Sequence, residues 1–365
     1  MNLQDLTIVV ITFSRQRFID RQVAYWKDSG AKLLILDGSA KAHPNSGVWN
    51  LTSNMSYIHS PTTYRDRHLM AADLVATKYA ILLNDDEFLL NPGISQCVEL
   101  LESNLLVDCV SGRAINFFYK NGEVYGQRIY KSFSNMDDCI PPGVERMREF
   151  WNDPDGYVRH YTIFSVMRQT VFANLIKQTF ATEHSNPYAY EIRMHLLTPL
   201  QYKSVLINEL VWLRSGENDP VSIKGFDRSI RFSTWYLDPS NVSEIKTMLD
   251  DITECVKEDI DLYEVELRDE ILGQLNKYVL ADSQRYIGMS REVSPSITRR
   301  MVTQFKSASR RIIVTRLPNS VRHKLTHNST TLIEAAEEWR ANGVGVDSAE
   351  VKKLLQLIMN FHRSK

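Results

Sequence analysis

The run Asn84-Asp85-Asp86-Glu87 follows an apolar stretch, Tyr79-Ala80-Ile81-Leu82-Leu83, and so places three adjacent carboxylates at what reads as the end of a buried strand. Carboxylates gathered at one sheet edge repel one another and raise their own pKa values unless a cation or basic partner joins them. Hard divalent cations such as Mg²⁺ or Mn²⁺ take oxygen ligands of that kind, more readily when phosphate oxygens complete the shell. A solvated acidic turn is the plain alternative. The flanking sequence has to decide between the two.

Other residues of chemical interest lie on both sides. Asp37 opens the turn Asp37-Gly38-Ser39 after the apolar run Lys32–Leu36. It could accept hydrogen bonds from a ligand, or serve only as the local turn that Asp-Gly-Ser favours. Arg214 leaves the run Leu210-Val211-Trp212-Leu213 for a loop that continues Ser215-Gly216-Glu217-Asn218. Its planar fork suits phosphate. Arg65, Arg67 and His68 stand at the head of the helical segment before the acidic run, where they either face the same rim or form a solvated face. Glu191, in Tyr188-Ala189-Tyr190-Glu191-Ile192, occupies a helix start, a position that the macrodipole alone favours for an acid.

The elements that would position these groups alternate between strand and helix. Leu6–Thr12 is a continuous β-branched run, as in a parallel strand covered on both faces. Ser14 stands at an N-cap position, and Gln16–Ser29 carries Phe18, Ile19, Val23 and Trp26 at helical spacing before Gly30. Strands follow at Lys32–Leu36 and Ser56–Ser60, a helix at Tyr64–Ala76, the strand Tyr79–Leu83, a helix at Ile94–Ser103 and a strand at Leu106–Ser111. Such alternation predicts a doubly wound, mostly parallel sheet, with ligands beyond the carboxyl ends of its strands. Asp37 and the Asp85–Glu87 cluster both fall on that rim.

Beyond residue 112 the pattern weakens. Short strands are predicted at Arg113–Tyr119, Glu123–Arg128 and His160–Val166, with Pro-containing loops such as Cys139–Val144. Helices are predicted at Phe172–Phe180 and Tyr188–Leu197, and a last strand at Val205–Leu213. From about residue 225 the chain reads as helix, ending with Thr331–Arg340 and Ser348–His362.

Taken in order, these features resemble the GT-A glycosyltransferases related to family 2. The residues that carry the resemblance are the β-branched first strand, the strand ending Asp37-Gly38-Ser39, and the helix leading into Tyr79-Ala80-Ile81-Leu82-Leu83-Asn84-Asp85-Asp86-Glu87. It covers residues 5–110 well and 160–217 loosely, and does not reach the helical C-terminus. Where the family's first Asp is expected the chain has Asn84, which leaves two registers open, Asn84-x-Asp86 and Asp85-x-Glu87.

The resemblance implies a Rossmann-like α/β sheet flanked by helices over residues 1–224, with an α-helical module over 225–365. It implies an inverting, metal-dependent enzyme of polysaccharide biosynthesis. A nucleotide-diphosphate sugar, a UDP-sugar first, would be the donor, and a glycan or lipid-linked glycan the acceptor. Mn²⁺ or Mg²⁺ held by Asp85, Asp86 and Glu87 would act as a Lewis acid on the departing diphosphate. Asp37, Arg67, Asp85 and Arg214 would bind the donor, and Glu191 would be the general base, with Glu183 and His184 as its substitutes.

Composition agrees with a soluble globular protein. The 365 residues carry a formal net charge of −1, so no bulk attraction to nucleic acid exists. Cys97, Cys109, Cys139 and Cys255 lack paired or metal-ligand spacing, as expected of thiols in a reducing cytoplasm. The apolar run Leu6–Phe13 is too short to span a membrane and lacks the layout of a signal peptide, so a cytoplasmic protein is expected.

Local charge is uneven. Asp238–Glu270 holds twelve acidic residues against three basic ones, and Arg291–Lys324 holds nine Lys/Arg against Glu292 alone. The basic stretch suits peripheral contact with an anionic membrane at the inner face. Packing against the acidic stretch, within one chain or in a homodimer, is the preferred reading.

Competing chemistries lack their signatures. A nucleotidyltransferase needs a Gly-rich phosphate loop where this chain has Thr12-Phe13-Ser14-Arg15-Gln16. A haloacid-type phosphatase needs Asp-x-Asp-x-Thr after the first strand. A non-catalytic protein of the same fold, binding a glycan or a partner, is the alternative that Asn84 supports.

Overall fold

The computed structural model describes residues 3–130, 143–151, 163–216, 231–258, 260–293 and 330–364. The loop Cys139–Val144 lies largely outside these residues, as do the start of His160–Val166, the loop residues Glu217 and Asn218, and nearly all of Arg291–Lys324.

The first half alternates as expected: β1 (Leu6–Thr12), α1 (Gln16–Trp26), β2 (Lys32–Asp37), α2 (Ser46–Trp49), β3 (Met55–His59), α3 (Tyr64–Leu74), β4 (Tyr79–Leu83), β5 (Phe88–Leu89), α4 (Asn91–Ser103). Then come β6 (Cys109–Lys120), β7 (Glu123–Ile129), α5 (Val144–Trp151), β8 (Val166–Arg168), α6 (Gln169–Thr179), α7 (Pro187–Gln201) and β9 (Ser204–Ser215). The C-terminal part is helical apart from one short strand: α8 (Phe232–Leu237), α9 (Val242–Val256), α10 (Glu264–Val293), β10 (Thr330–Thr331), α11 (Leu332–Ala341) and α12 (Ser348–Arg363).

Among the described residues ten strands form one sheet. One parallel part runs β4-β1-β2-β3, with Val10 beside both Ile35 and Leu83, and β6 pairs in parallel with β9. The chain builds outward from β1 through β2 to β3, then returns to the other side of β1 for β4. That reversal makes the carboxyl ends of β1 and β4 the topological switch point, where an open sheet leaves a crevice. The two strands predicted at Leu106–Ser111 and Arg113–Tyr119 are one strand, β6, whose register against β9 shifts around Gly112. A Cβ there would stand 2.3 Å from Val211 Cγ2, so glycine permits the close crossing.

Alternation along β1 sends Leu6, Ile8 and Val10 to one core and Val9 to the other. The first core is covered by α1, α4, α11 and α12, with Trp26, Leu101, Trp339 and Ile358 fully or nearly buried. The second holds α3 and α5–α10, through residues such as Phe172, Leu196, Met248 and Ile271. Each fully buried Leu, Ile or Phe is worth about 1.5–3 kcal/mol of transfer free energy. Both cores are therefore built partly from C-terminal helices. Among the described residues, Asp251 of α9 pairs with Arg193 at 3.0 Å and Glu270 of α10 pairs with Arg148. No helix of the described residues is long and apolar enough to cross a membrane.

Candidate active site

At the switch point the residues after β1 meet those after β4. Ser14 does not cap α1. It takes a left-handed backbone, φ 55°, and donates its N–H to Ser39 Oγ at 2.8 Å. Arg15 becomes the N-cap residue, and its side chain crosses to the acidic turn. Nη1 lies 3.0 Å from Asp85 Oδ1 and Nη2 lies 2.7 Å from Asp86 Oδ2. Thr12 Oγ1 donates to the remaining oxygen of Asp85 at 2.6 Å. The charge of the acidic turn is thus answered from inside the fold.

The turn itself is tied by α1. Gln22 Nε2 donates to the carbonyls of Asp85 and Glu87 at 3.0 and 2.6 Å, and Arg21 Nη2 donates to that of Asp86 at 2.7 Å. The Arg21 guanidinium in turn sits 4.8 Å from the Phe88 ring and 4.5 Å from the Phe361 ring, so α12 braces it. Glu87 faces another way: its Oε2 accepts from the Trp212 indole at 2.9 Å, across the β5–β9 pairing.

Electrostatics follow from this packing. Burial pushes the Asp85 carboxyl up to about 7; Arg15 opposes the rise and Asp86 adds to it. Burial, with the neighbouring Asp86 charge, pushes Glu87 up to about 8 against the pull of Arg214. His68, buried beside the Phe180 ring at 4.2 Å, is lowered to about 3 by desolvation and stays neutral.

Above the turn opens a cleft of 620 Å³. Asp85, Asp86 and Glu87 line it together with Arg15, Glu191 and Arg214. Aromatic pairs line it too, Phe180 stacked on Tyr190 at 4.6 Å and Trp212 packed on Phe164 at 4.5 Å. Rings and charge in one cleft suit a ligand with a flat or sugar-like body and an anionic part. Asn186 caps α7 by accepting from the Tyr188 N–H at 2.8 Å, and Pro187 opens the helix. That places Glu191 one turn in, partly exposed on the cleft wall, with Oε1 3.9 Å from Nε2 of buried His195.

Asp37 and Arg67 are not among the lining residues. Asp37 Oδ1 accepts from Ser39 N–H at 2.8 Å and from the Ser39 hydroxyl, while Oδ2 accepts from Tyr57 at 2.5 Å. The residue is 1 % exposed. Arg67 is buried beside it and donates to the Thr62 carbonyl, and a Cβ at Gly38 would collide with its guanidinium. Desolvation lowers the Arg67 pKa. These two residues close the carboxyl end of β2 instead of facing the cleft. His184 is also buried, 3.4 Å from Glu244, and neither it nor Glu183 lines the cleft.

The expected metal cage is not assembled by these side chains. Both oxygens of Asp85 and one of Asp86 are engaged by Thr12 and Arg15, and Glu87 is turned to Trp212. Among the described residues no group of three His, Cys, Asp or Glu side chains is disposed to hold a metal ion. The sequence reading missed Arg15, Thr12 and Trp212. Their signal lies in the strand order, because a residue just after β1 must face one just after β4.

No family model matches the chain, and no curated protein does. Among solved structures it is similar to S. aureus TarS, residues 1–349, at 9 % identity and a TM-score of 0.39, covering 79 % of this chain and 92 % of that one. The complexes of the same TarS segment with UDP-GlcNAc and with UDP align at 10 % identity and TM-scores of 0.42 and 0.41, with the same coverage. The likeness is distant in sequence and in superposition alike.

Proposed function

We propose that this chain is a glycosyltransferase that moves a sugar from a nucleotide-diphosphate donor, a UDP-sugar first, to a glycan or lipid-linked glycan hydroxyl. One observation carries the reading: one cleft at the switch point gathers the acidic turn, Arg214 and Glu191 together with aromatic rings. In an inverting transfer the acceptor oxygen bonds to the anomeric carbon as the bond from that carbon to the phosphate oxygen breaks. The acceptor proton goes to the Glu191 carboxylate, and the electron pair leaves with the nucleoside diphosphate. Buried His195 lies beside that carboxylate, Nε2 at 3.9 Å from Oε1. Arg214, exposed at the end of β9, is the cation we assign to the departing diphosphate. A divalent metal would supply the same neutralisation; both oxygens of Asp85, one of Asp86 and one of Glu87 are already engaged, which does not suit a full carboxylate ligand set, and no step here depends on a metal.

A thermal-shift panel of UDP, GDP, dTDP, CMP and their sugars tests the donor site. A ligand at a hundredfold its Kd adds about 2.7 kcal/mol of stability. A shift confined to one nucleotide and its sugars supports the proposal. No shift from any of them, with or without Mn²⁺, supports a non-catalytic glycan-binding or partner-binding protein.

A further inference from the structure

The acidic turn already holds a cation. Arg15 reaches it from the end of β1, bridges Asp85 and Asp86 with separate nitrogens, and lines the cleft with its side chain 9 % exposed. Its guanidinium carbon lies 4.3 Å from the Phe18 ring centroid, so the group is held from behind as well as in front. No side-chain bond caps the N-terminus of α1, and Arg15 occupies that cap position with its side chain turned to the acids. To ligate a divalent ion through Asp85, or through both oxygens of Asp86, the turn would have to release Arg15. That would leave a largely buried guanidinium without its partners, which is strongly unfavourable.

We infer that Arg15 is the cation of the donor site: it holds Asp85 and Asp86 in place and offers its further N–H donors to the donor's diphosphate, so that donor binding needs no divalent metal. The inference rests on the glycosyltransferase reading and departs from the metal-dependent enzyme that the sequence resemblance implies. A guanidinium meets phosphate oxygens through paired, charge-assisted hydrogen bonds. It is also anchored before the ligand arrives, so little ordering is left to be done at binding. Asp85 and Asp86 then act as positioning residues for Arg15 and not as metal ligands.

Calorimetric titration of the full chain with the nucleoside diphosphate selected by the thermal-shift panel tests this, run in EDTA and again with Mn²⁺. The wild-type chain should bind equally well in both. Arg15→Met should bind about a hundredfold more weakly in EDTA, the scale of a lost buried charge partner. Arg15→Lys, which keeps the charge and loses the fork, should fall between them and guards against a misfolded Met variant. Wild-type binding that appears only with Mn²⁺ would overturn the inference and leave the glycosyltransferase reading standing. So would undiminished binding by Arg15→Met in EDTA. Failure of the wild-type chain to bind any nucleotide under either condition would remove the reading on which the inference rests.

Discussion

Two strand ends of this sheet carry the same local signal, an apolar run closed by acid, and the fold treats them in opposite ways. At the end of β2, Asp37 is sealed by Ser39 from its own turn, by Tyr57 from the next strand and by Arg67 packed over Gly38. At the end of β4, Asp85 and Asp86 stay on a cleft and are met by one long cation from β1. The difference is position in the strand order. β4 and β1 flank the switch point, whereas β2 lies one strand further in, between β1 and β3. A carboxylate at a strand end is thus available to a ligand only where the topology keeps a crevice open beside it.

Substitutions can sharpen or break that contrast. The largest effect is expected from Glu191→Gln, which should cost about 10²–10⁴-fold in transfer rate while leaving donor affinity unchanged. Loss of donor affinity in a titration of that variant would mean that Glu191 is not the base. Next, Gly38→Ala should destabilise the chain by about 1–3 kcal/mol, because the new methyl must displace Arg67. Chemical denaturation measures this, and an unchanged midpoint would show that Arg67 is not fixed over the turn. Tyr57→Phe should cost about 1–3 kcal/mol, because it removes the hydroxyl that donates to Asp37 Oδ2 and accepts from the His43 N–H. Its nucleotide affinity should match the wild type; a marked loss would place Asp37 in the donor site after all.

A further prediction concerns pH. Asp85 and Glu87 are raised on folding, from 3.8 to about 7 and from 4.5 to about 8. The folded chain therefore binds more protons than the unfolded chain between those values. The stability these groups contribute is fully present below their unfolded pKa values and is lost as pH rises through 7 and 8. The melting temperature should fall between about pH 5 and about pH 8.5, and Glu87→Gln should flatten part of that fall. An identical profile in the variant would contradict the assignment.

Much of this was legible in the chain. The β-branched run of β1 and the apolar run of β4 match their predicted bounds, and the acids were expected on the carboxyl rim. Glu191 and Arg214 do line the cleft with them. Pairings across long separations were not legible. Arg15 gains its role only when β1 and β4 lie side by side, 71 residues apart at Asp86. Tyr57 closes Asp37 from 20 residues away. The last helices were visible as helices, but nothing local said that Trp339 would donate to the Ala114 carbonyl, or that Phe361 would back the Arg21 that steadies the acidic turn. Metal ligation was expected from the acidic run and from the family resemblance. Carboxylates of that kind can also be neutralised by a neighbouring cation, as Arg15 does here for Asp85 and Asp86.

The central claim, that this cleft holds a glycosyl donor ready for transfer, is tested most directly by a crystal structure with the nucleotide-sugar selected by the thermal-shift panel. The account predicts the diphosphate within hydrogen-bond reach of Arg15 or Arg214, with the Glu191 carboxylate on the face of the sugar opposite the diphosphate. A nucleotide-sugar bound outside the cleft, or a Glu191 carboxylate on the same face as the diphosphate, would contradict it.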